Sequence, residues 1–388
     1  MIDLVLLSSL ALTLLGASVF ARYVGPAQAL LGQLGEREPQ IDGLRGICAL
    51  LVTLHHLVFV GLWKAGVFTR SLGGPVSDSA GKVGVAMFFL ICAYLFWGRL
   101  SRLDATSWRG WLAFADNRVR RIVPMYVVSV TATLVLLGLL ARPLDQWLPA
   151  PVLLEQAARA YSFWFFPATE FNHSRGAKAS LGLAWTLKYE WLFYASLPFL
   201  ALVRARRWWW LLLPLAALAD HFVFQQGWVN FFIFGAAACE LTRLPQVRRV
   251  ARSTWAAAGS IALVVGVACF VDSAHFADVG PALLLSIAFL AVVGGSDWFG
   301  VLTSRGARLV GAASYSVYLL NILVEMPLVY VLLPGNPLRG PVPLQVLVMT
   351  TVALMLVLVS LVTYRFVERP FQRASARSTT PALQSRLR

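Results

Sequence analysis

The chain has 388 residues, 59% of them hydrophobic and only 13% charged, and its net charge is +15. A soluble domain is nearer half apolar and a quarter charged, so a string of soluble domains is excluded. The positive charge does not point to nucleic acid, because the basic residues sit in short segments between apolar runs, as the positive-inside rule describes.

In chain order, the first apolar run, 4–20, lacks a basic leader and follows Asp3, so it reads as an uncleaved first span rather than a signal-peptide core. Ten further runs follow at 42–63, 83–98, 122–140, 184–203, 208–223, 228–242, 254–271, 280–295, 311–333 and 343–365. The pair 208–223 and 228–242 is short and closely spaced. The aromatic stretch 155–167 is too short to span and reads as interfacial or re-entrant. The expectation is an all-α, polytopic membrane bundle of about eleven helices.

Arginines set its orientation. Arg99, Arg102, Arg109, Arg118, Arg120 and Arg121 share one loop. Arg204, Arg206 and Arg207, then Arg243, Arg248, Arg249 and Arg252, then Arg305 and Arg308 fill three more, and Arg373, Arg377, Arg386 and Arg388 follow the last run. All fall on one side if the runs alternate, so that side is cytoplasmic, the N-terminus is outside and the C-terminus inside. Residues 1–40 then form an extra N-terminal span and linker, 41–373 a ten-helix membrane domain, and 374–388 a disordered cytoplasmic tail.

Standard reactive motifs are missing. Cys48, Cys92, Cys239 and Cys269 each lie in an apolar run with no CxxC, so no metal site is expected and the thiols read as buried small hydrophobes. No GxSxG, HExxH or Walker loop occurs. Asp220, His221, His173 and His275 read as solvated or interfacial.

Polar residues inside spans are costly and mark function by default. Arg45 and His56 are eleven residues apart, about three helical turns, so they share a face and His56 lies ~16 Å deeper. His55 points elsewhere. His56 is either a general base or a buried, hydrogen-bonded histidine. Arg118 and Arg121 share a face, suited to phosphate or to anchoring at the membrane surface. Thr186, Glu190 and Tyr194 form a polar stripe entered from the outer side, with Lys188 or an arginine as the partner of Glu190. Ser314, Tyr318, Asn321 and Glu325 form a second stripe. These stripes either hold helices together or line a shared cavity.

Together these segments resemble the acyltransferase family 3 membrane proteins over 41–371. The resemblance rests on six motifs in order. They are Asp42-Gly43-Leu44-Arg45-Gly46 with ten residues intervening between Arg45 and His56, and Gly84-Val85-Ala86-Met87-Phe88-Phe89-Leu90. Next come Arg118 and Arg121 before Ile122 and Pro124, then Trp185-Thr186-Leu187 with Glu190 and Phe193-Tyr194. Ser314-Tyr315-Ser316-Val317-Tyr318-Leu319 and Phe366-Val367-Glu368-Arg369-Pro370-Phe371 complete the set.

The resemblance implies transfer of an acyl group, usually acetyl, from cytoplasmic acyl-CoA to a hydroxyl of a sugar, lipid or small molecule, and a bacterial inner-membrane setting. It implies His56 as the catalytic histidine and Arg45, Arg118 and Arg121 as the donor site. Glu190 is a second catalytic candidate. Lys188, Tyr194, Tyr318, Asn321 and Glu325 are acceptor-binding candidates. The chain departs from the family where Asn321 replaces a frequent histidine and Cys92-Ala93 replaces Ser-Gly. A transporter or flippase of a lipid-linked sugar, and an inactive relative acting as a sensor, are the competing readings.

Overall fold

The computed structural model describes residues 1–34, 38–67, 71–100, 108–139, 147–174, 181–205, 227–272, 274–332 and 340–372. The expected span 208–223, the tail 374–388, and Asp220 and His221 lie outside the described residues. The described part is helical, with one isolated β-bridge, Phe171 to Ser174, and no strand. The helices are α1 Ile2–Tyr23, α2 Gly25–Leu34, α3 Pro39–Lys64, α4 Pro75–Leu100, α5 Trp108–Leu139, α6 Ala150–Ala160 and α7 Trp185–Ala205. They continue with α8 Val229–Leu241, α9 Pro245–Ala251, α10 Thr254–Phe270, α11 Val279–Val293, α12 Arg305–Ala312, α13 Ser314–Pro327 and α14 Val342–Thr363.

Among the described residues, five helices can cross a membrane by length and composition: α1, α3, α4, α5 and α14 with its continuation to Gln372. The count is seven if the bent pairs α9–α10 and α12–α13 each make one span. Two expected spans are short: α8 has 13 residues and α11 has 15. At 1.5 Å per residue they reach only ~20–23 Å of a ~30 Å hydrocarbon core. The expected span 311–333 corresponds to α13 and its continuation to residue 332, and the chain turns by 78° at its start, between α12 and α13.

The helices α3 and α4 form the centre. Of their apolar windows 67% and 72% is buried, against 33% for α1. Helices α12 and α13 pack on α3, α8 packs on α4, and α1 and α14 pack on one another. Glycine permits the closest approach, because a side chain at Gly43 would overlap the Leu302 backbone and one at Gly311 would overlap that of Asp42. Gly46 faces the Ala307 carbonyl in the same way. The Asp42-Gly43-Leu44-Arg45-Gly46 motif is therefore partly a docking surface that holds Arg45 at a fixed distance from α12 and α13.

Helix α1 is built into this bundle. The Asp3 carboxylate accepts hydrogen bonds from the backbone N–H groups of Ser77 (2.8 Å) and Val76 (3.3 Å), which serve the orphan donors of the first turn of α4. At its other end, Ser18 accepts from the Gly306 N–H at 3.0 Å. The aromatic stretch 155–167 ends α6 and then turns. Phe163 and Trp164 have φ of 53° and 65°, and Phe163 stacks on Tyr126 at 4.1 Å.

Candidate active site

Helices α3 and α13 carry the centre of the site between them. Two side-chain pairs cross the gap. Arg45 Nη2 donates to Ser314 Oγ at 3.0 Å, and Asn321 Nδ2 donates to His56 Nδ1 at 3.1 Å. The shared face of Arg45 and His56 therefore points at one partner helix. Asn321 is fully buried, and its Oδ1 accepts from the Ile322 N–H at 2.5 Å, which turns the amide nitrogen toward His56. An Nδ1 that accepts a hydrogen bond places the proton of neutral His56 on Nε2. Asn321 thus sets the tautomer of His56.

His55 has a separate job. Its Nδ1–H donates to the Ser77 carbonyl at 2.7 Å, and its ring lies against Gly81, where a Cβ would collide with it. It ties α3 to α4 and leaves His56 as the histidine that faces α13.

A second group of polar residues gathers around Arg45. Arg121, Asp42, Glu368 and Glu190 are the charges that act on it. Arg118 is 6% exposed, donates to the Asn117 side chain and lies over the Phe96 ring at 4.8 Å and the Tyr194 ring at 5.9 Å. Its Nε has no hydrogen-bond partner. Arg120, between the two candidate arginines, turns away and pairs with Asp116 at 2.7 Å. The i, i+3 reading of Arg118 and Arg121 therefore separates them from their neighbour.

Glu190 and Tyr194 join this group. The Tyr194 hydroxyl donates to Glu190, and Cys92 Sγ lies 3.8 Å from the same hydroxyl. Glu190 acts on both Arg45 and Arg118. Arginines are thus among its charged neighbours, and Lys188 is half-buried on the same helix. The contacts of this stripe run to the arginine end of the site, whereas its direction of entry suggested an acceptor-binding role on the outer side. The depth of Tyr194, more than two turns into α7, accounts for that difference.

Tyr318 is occupied. Its hydroxyl donates to the Leu183 carbonyl at 3.0 Å and meets Thr186 Oγ1 at 3.0 Å, so it fastens α13 to the start of α7. Glu325 is fully buried, and among the described residues neither carboxyl oxygen has a hydrogen-bond partner.

Sequence reasoning gave no role to Glu368 beyond its place in a motif. Glu368 is 2% exposed and accepts from Ser316 Oγ. That bond joins the Phe366-Val367-Glu368-Arg369-Pro370-Phe371 motif to the Ser314-Tyr315-Ser316 motif. Its place in an apolar helix was the signal, since a carboxylate there is costly unless it is paired. Tyr315 completes the link by donating to the Ile122 carbonyl at 2.9 Å, next to Arg121. Among the described residues no cluster of three His, Cys, Asp or Glu side chains is placed to hold a metal ion.

The arrangement has two chemically distinct parts: an arginine-rich end, with Tyr194, Glu190 and Glu368, and a histidine held by an amide further along α3. No curated protein and no solved structure matches the chain. Residues 38–365 match the acyltransferase family 3 model, an acyltransferase domain, and the chain belongs to that family.

Proposed function

We propose that the protein is a membrane O-acyltransferase that moves an acyl group, in the first instance acetyl, from cytoplasmic acyl-CoA to a hydroxyl of a glycan, lipid or small molecule. The observation that carries this is the alignment on α3. Arg45, beside Arg121, and His56, held by Asn321, share one helix face about three turns apart. Arg45, Arg118 and Arg121 receive the phosphates of CoA. Two guanidinium groups held near each other repel, and a phosphate relieves that repulsion while accepting planar, bidentate hydrogen bonds. The ~16 Å between Arg45 and His56 is spanned by the extended pantetheine arm, which brings the thioester to the histidine.

His56 then takes part in one of two ways. It accepts the hydroxyl proton for direct attack on the thioester, after its proton moves from Nε2 to Nδ1 and the Asn321 amide turns. Alternatively, it carries the acyl group between donor and acceptor. In both, a C–O bond forms, the C–S bond breaks, and the hydroxyl proton ends on the CoA thiol. Trapping an acyl-histidine in rapid-quenched turnover selects the second route. Glu190, paired with Tyr194, balances the arginine charge and orients Arg118. In this reading the bundle has eleven spans in a bacterial inner membrane, N-terminus outside and C-terminus inside. The distribution of arginines between apolar runs supports that orientation.

The test uses purified protein, labelled acetyl-CoA and an extract of the native membrane as acceptor, with His56→Ala alongside. Release of CoA by the wild type, reduced at least about 100-fold in the variant, is expected from loss of a general acid–base or nucleophilic group. Absence of CoA release would sink the reading in favour of a flippase or sensor, neither of which consumes the thioester.

A further inference from the structure

Glu325 has no structural explanation in the fold. It is fully buried, both of its carboxyl oxygens lack a hydrogen-bond partner among the described residues, and no charged group acts on it. A buried polar group left unpaired is costly, and replacing it by an apolar residue of similar shape is neutral or stabilising. Such a group in a native fold calls for an explanation, and a bound substrate supplies one.

Its position says what that is. Glu325 lies four residues beyond Asn321, so it occupies the same face of α13 one turn, ~6 Å, further along. The direction is away from the arginines. Beyond Glu325, Lys64 at the far end of α3 donates to the Val329 carbonyl at 2.7 Å. The order along the α3–α13 seam is therefore Arg45 with Ser314, His56 with Asn321, then Glu325, then Lys64 with Val329. Directly after Glu325 the helix is irregular: Pro327 interrupts it and residues 328–332 form a π-helix, a feature common at functional sites.

From this placement we propose that Glu325 binds the acyl acceptor, its carboxyl taking the hydrogen bonds of a hydroxyl-bearing molecule that reaches His56 from the end opposite the arginines. The proposal deepens the acyltransferase reading and rests on it for the identity of the donor side. A carboxyl suits a hydroxyl, since each both donates and accepts when the acid carries its proton, and the acid accepts at both oxygens when it does not. A diol or sugar ring engages both oxygens. The structure thus assigns the two substrates to opposite ends of one seam, with the histidine between them.

The experiment compares wild type, Glu325→Leu and Glu325→Gln. The acceptor probe is a total lipid extract of the native membrane, and the control is the same extract with its hydroxyls blocked by exhaustive acetylation. Two quantities are read: the rise in melting temperature caused by the extract, and the KM for extract and for acetyl-CoA in CoA release. The expected result is that E325L melts at or above the wild-type temperature without extract. It loses the stabilisation that the unblocked extract gives the wild type, and its KM for extract rises at least about tenfold while that for acetyl-CoA stays within about twofold. The amide of E325Q keeps donor and acceptor atoms, so its KM for extract stays within about threefold of the wild type.

An E325L variant stabilised and saturated by extract as the wild type is would overturn the assignment. So would a wild type that the extract does not stabilise, or unfolding of both variants, which would make the carboxyl a part of the fold. Absence of CoA release in the wild type would remove the acyltransferase reading, while the melting shift would still decide whether Glu325 binds hydroxyls.

Discussion

One hydrogen bond sets where the neutral His56 ring carries its proton. Asn321 donates to its Nδ1, so the neutral ring carries its proton on Nε2. A histidine in place of Asn321 would be able to titrate, whereas an amide fixes orientation without changing charge. Replacing Asn321 with alanine should therefore lower kcat by about 10- to 100-fold, the range expected when one hydrogen bond to a reacting group is lost, and leave the KM for acetyl-CoA unchanged. Steady-state kinetics with both substrates varied would check this, and an equal fall in donor affinity would contradict it.

Arg45 makes the opposite prediction. Arg45→Lys keeps the charge but loses the planar fork, so the KM for acetyl-CoA should rise about 5- to 20-fold with a smaller change in kcat. These residues were partly legible in the sequence. The spacing of Arg45 and His56 identified the histidine, because helical geometry is local. The partner of His56 was not legible, because Asn321 is 265 positions away and only the packing of α13 on α3 brings the amide to the ring.

At the scale of the element, small residues fix the site. Gly43 and Gly46 on α3 face the backbone of Leu302 and Ala307, and Gly311 on α12 faces that of Asp42. A methyl group at Gly46 would force α3 and α12 apart, so Gly46→Ala should cost about 1–3 kcal/mol, the cost of overpacking a tight contact, seen as a lower melting temperature in detergent. Arg45 lies one residue away, so the same variant should weaken donor binding as well. An unchanged melting temperature would show that the helices can part without loss.

Helix α1 gives a second prediction. Asp3 serves the first turn of α4, and Asp3→Ala should cost about 0.5–2 kcal/mol, as for loss of a helix cap, without altering the KM for either substrate. The existence of α1 followed from its apolar run. Its attachment to α4 did not, because the bond joins residues more than seventy positions apart. The 78° turn between α12 and α13 was also hidden in the sequence, since the start of an apolar run does not give the direction of the chain before it.

For the whole molecule, the distribution of arginines predicts which ends of the helices face the cytoplasm. Single cysteines placed at Arg120 and at Gly66, in a variant lacking the four native cysteines, should react with a membrane-impermeant maleimide from opposite sides of sealed vesicles. Labelling from the same side would overturn the topology. Among the described residues, the short helices α8 and α11 and the two bent pairs leave five to seven spans that pass by length and composition alone.

The sequence by itself determined the class of the molecule and the family, and it named the polar residues inside the apolar runs. Composition, apolar run length and helical spacing are local properties, and the six ordered motifs are read along the chain. Only the tertiary structure decided which of those residues meet. Asn321 holds His56, Glu190 and Tyr194 join Arg118, Glu368 is tied to Ser316, and among the described residues Glu325 has no hydrogen-bond partner. The physical reason is that a helix face specifies a direction but not a partner. In a bundle whose helices are apolar on nearly every side, the partner is chosen by where glycine lets two backbones approach and by which buried polar groups must find one another.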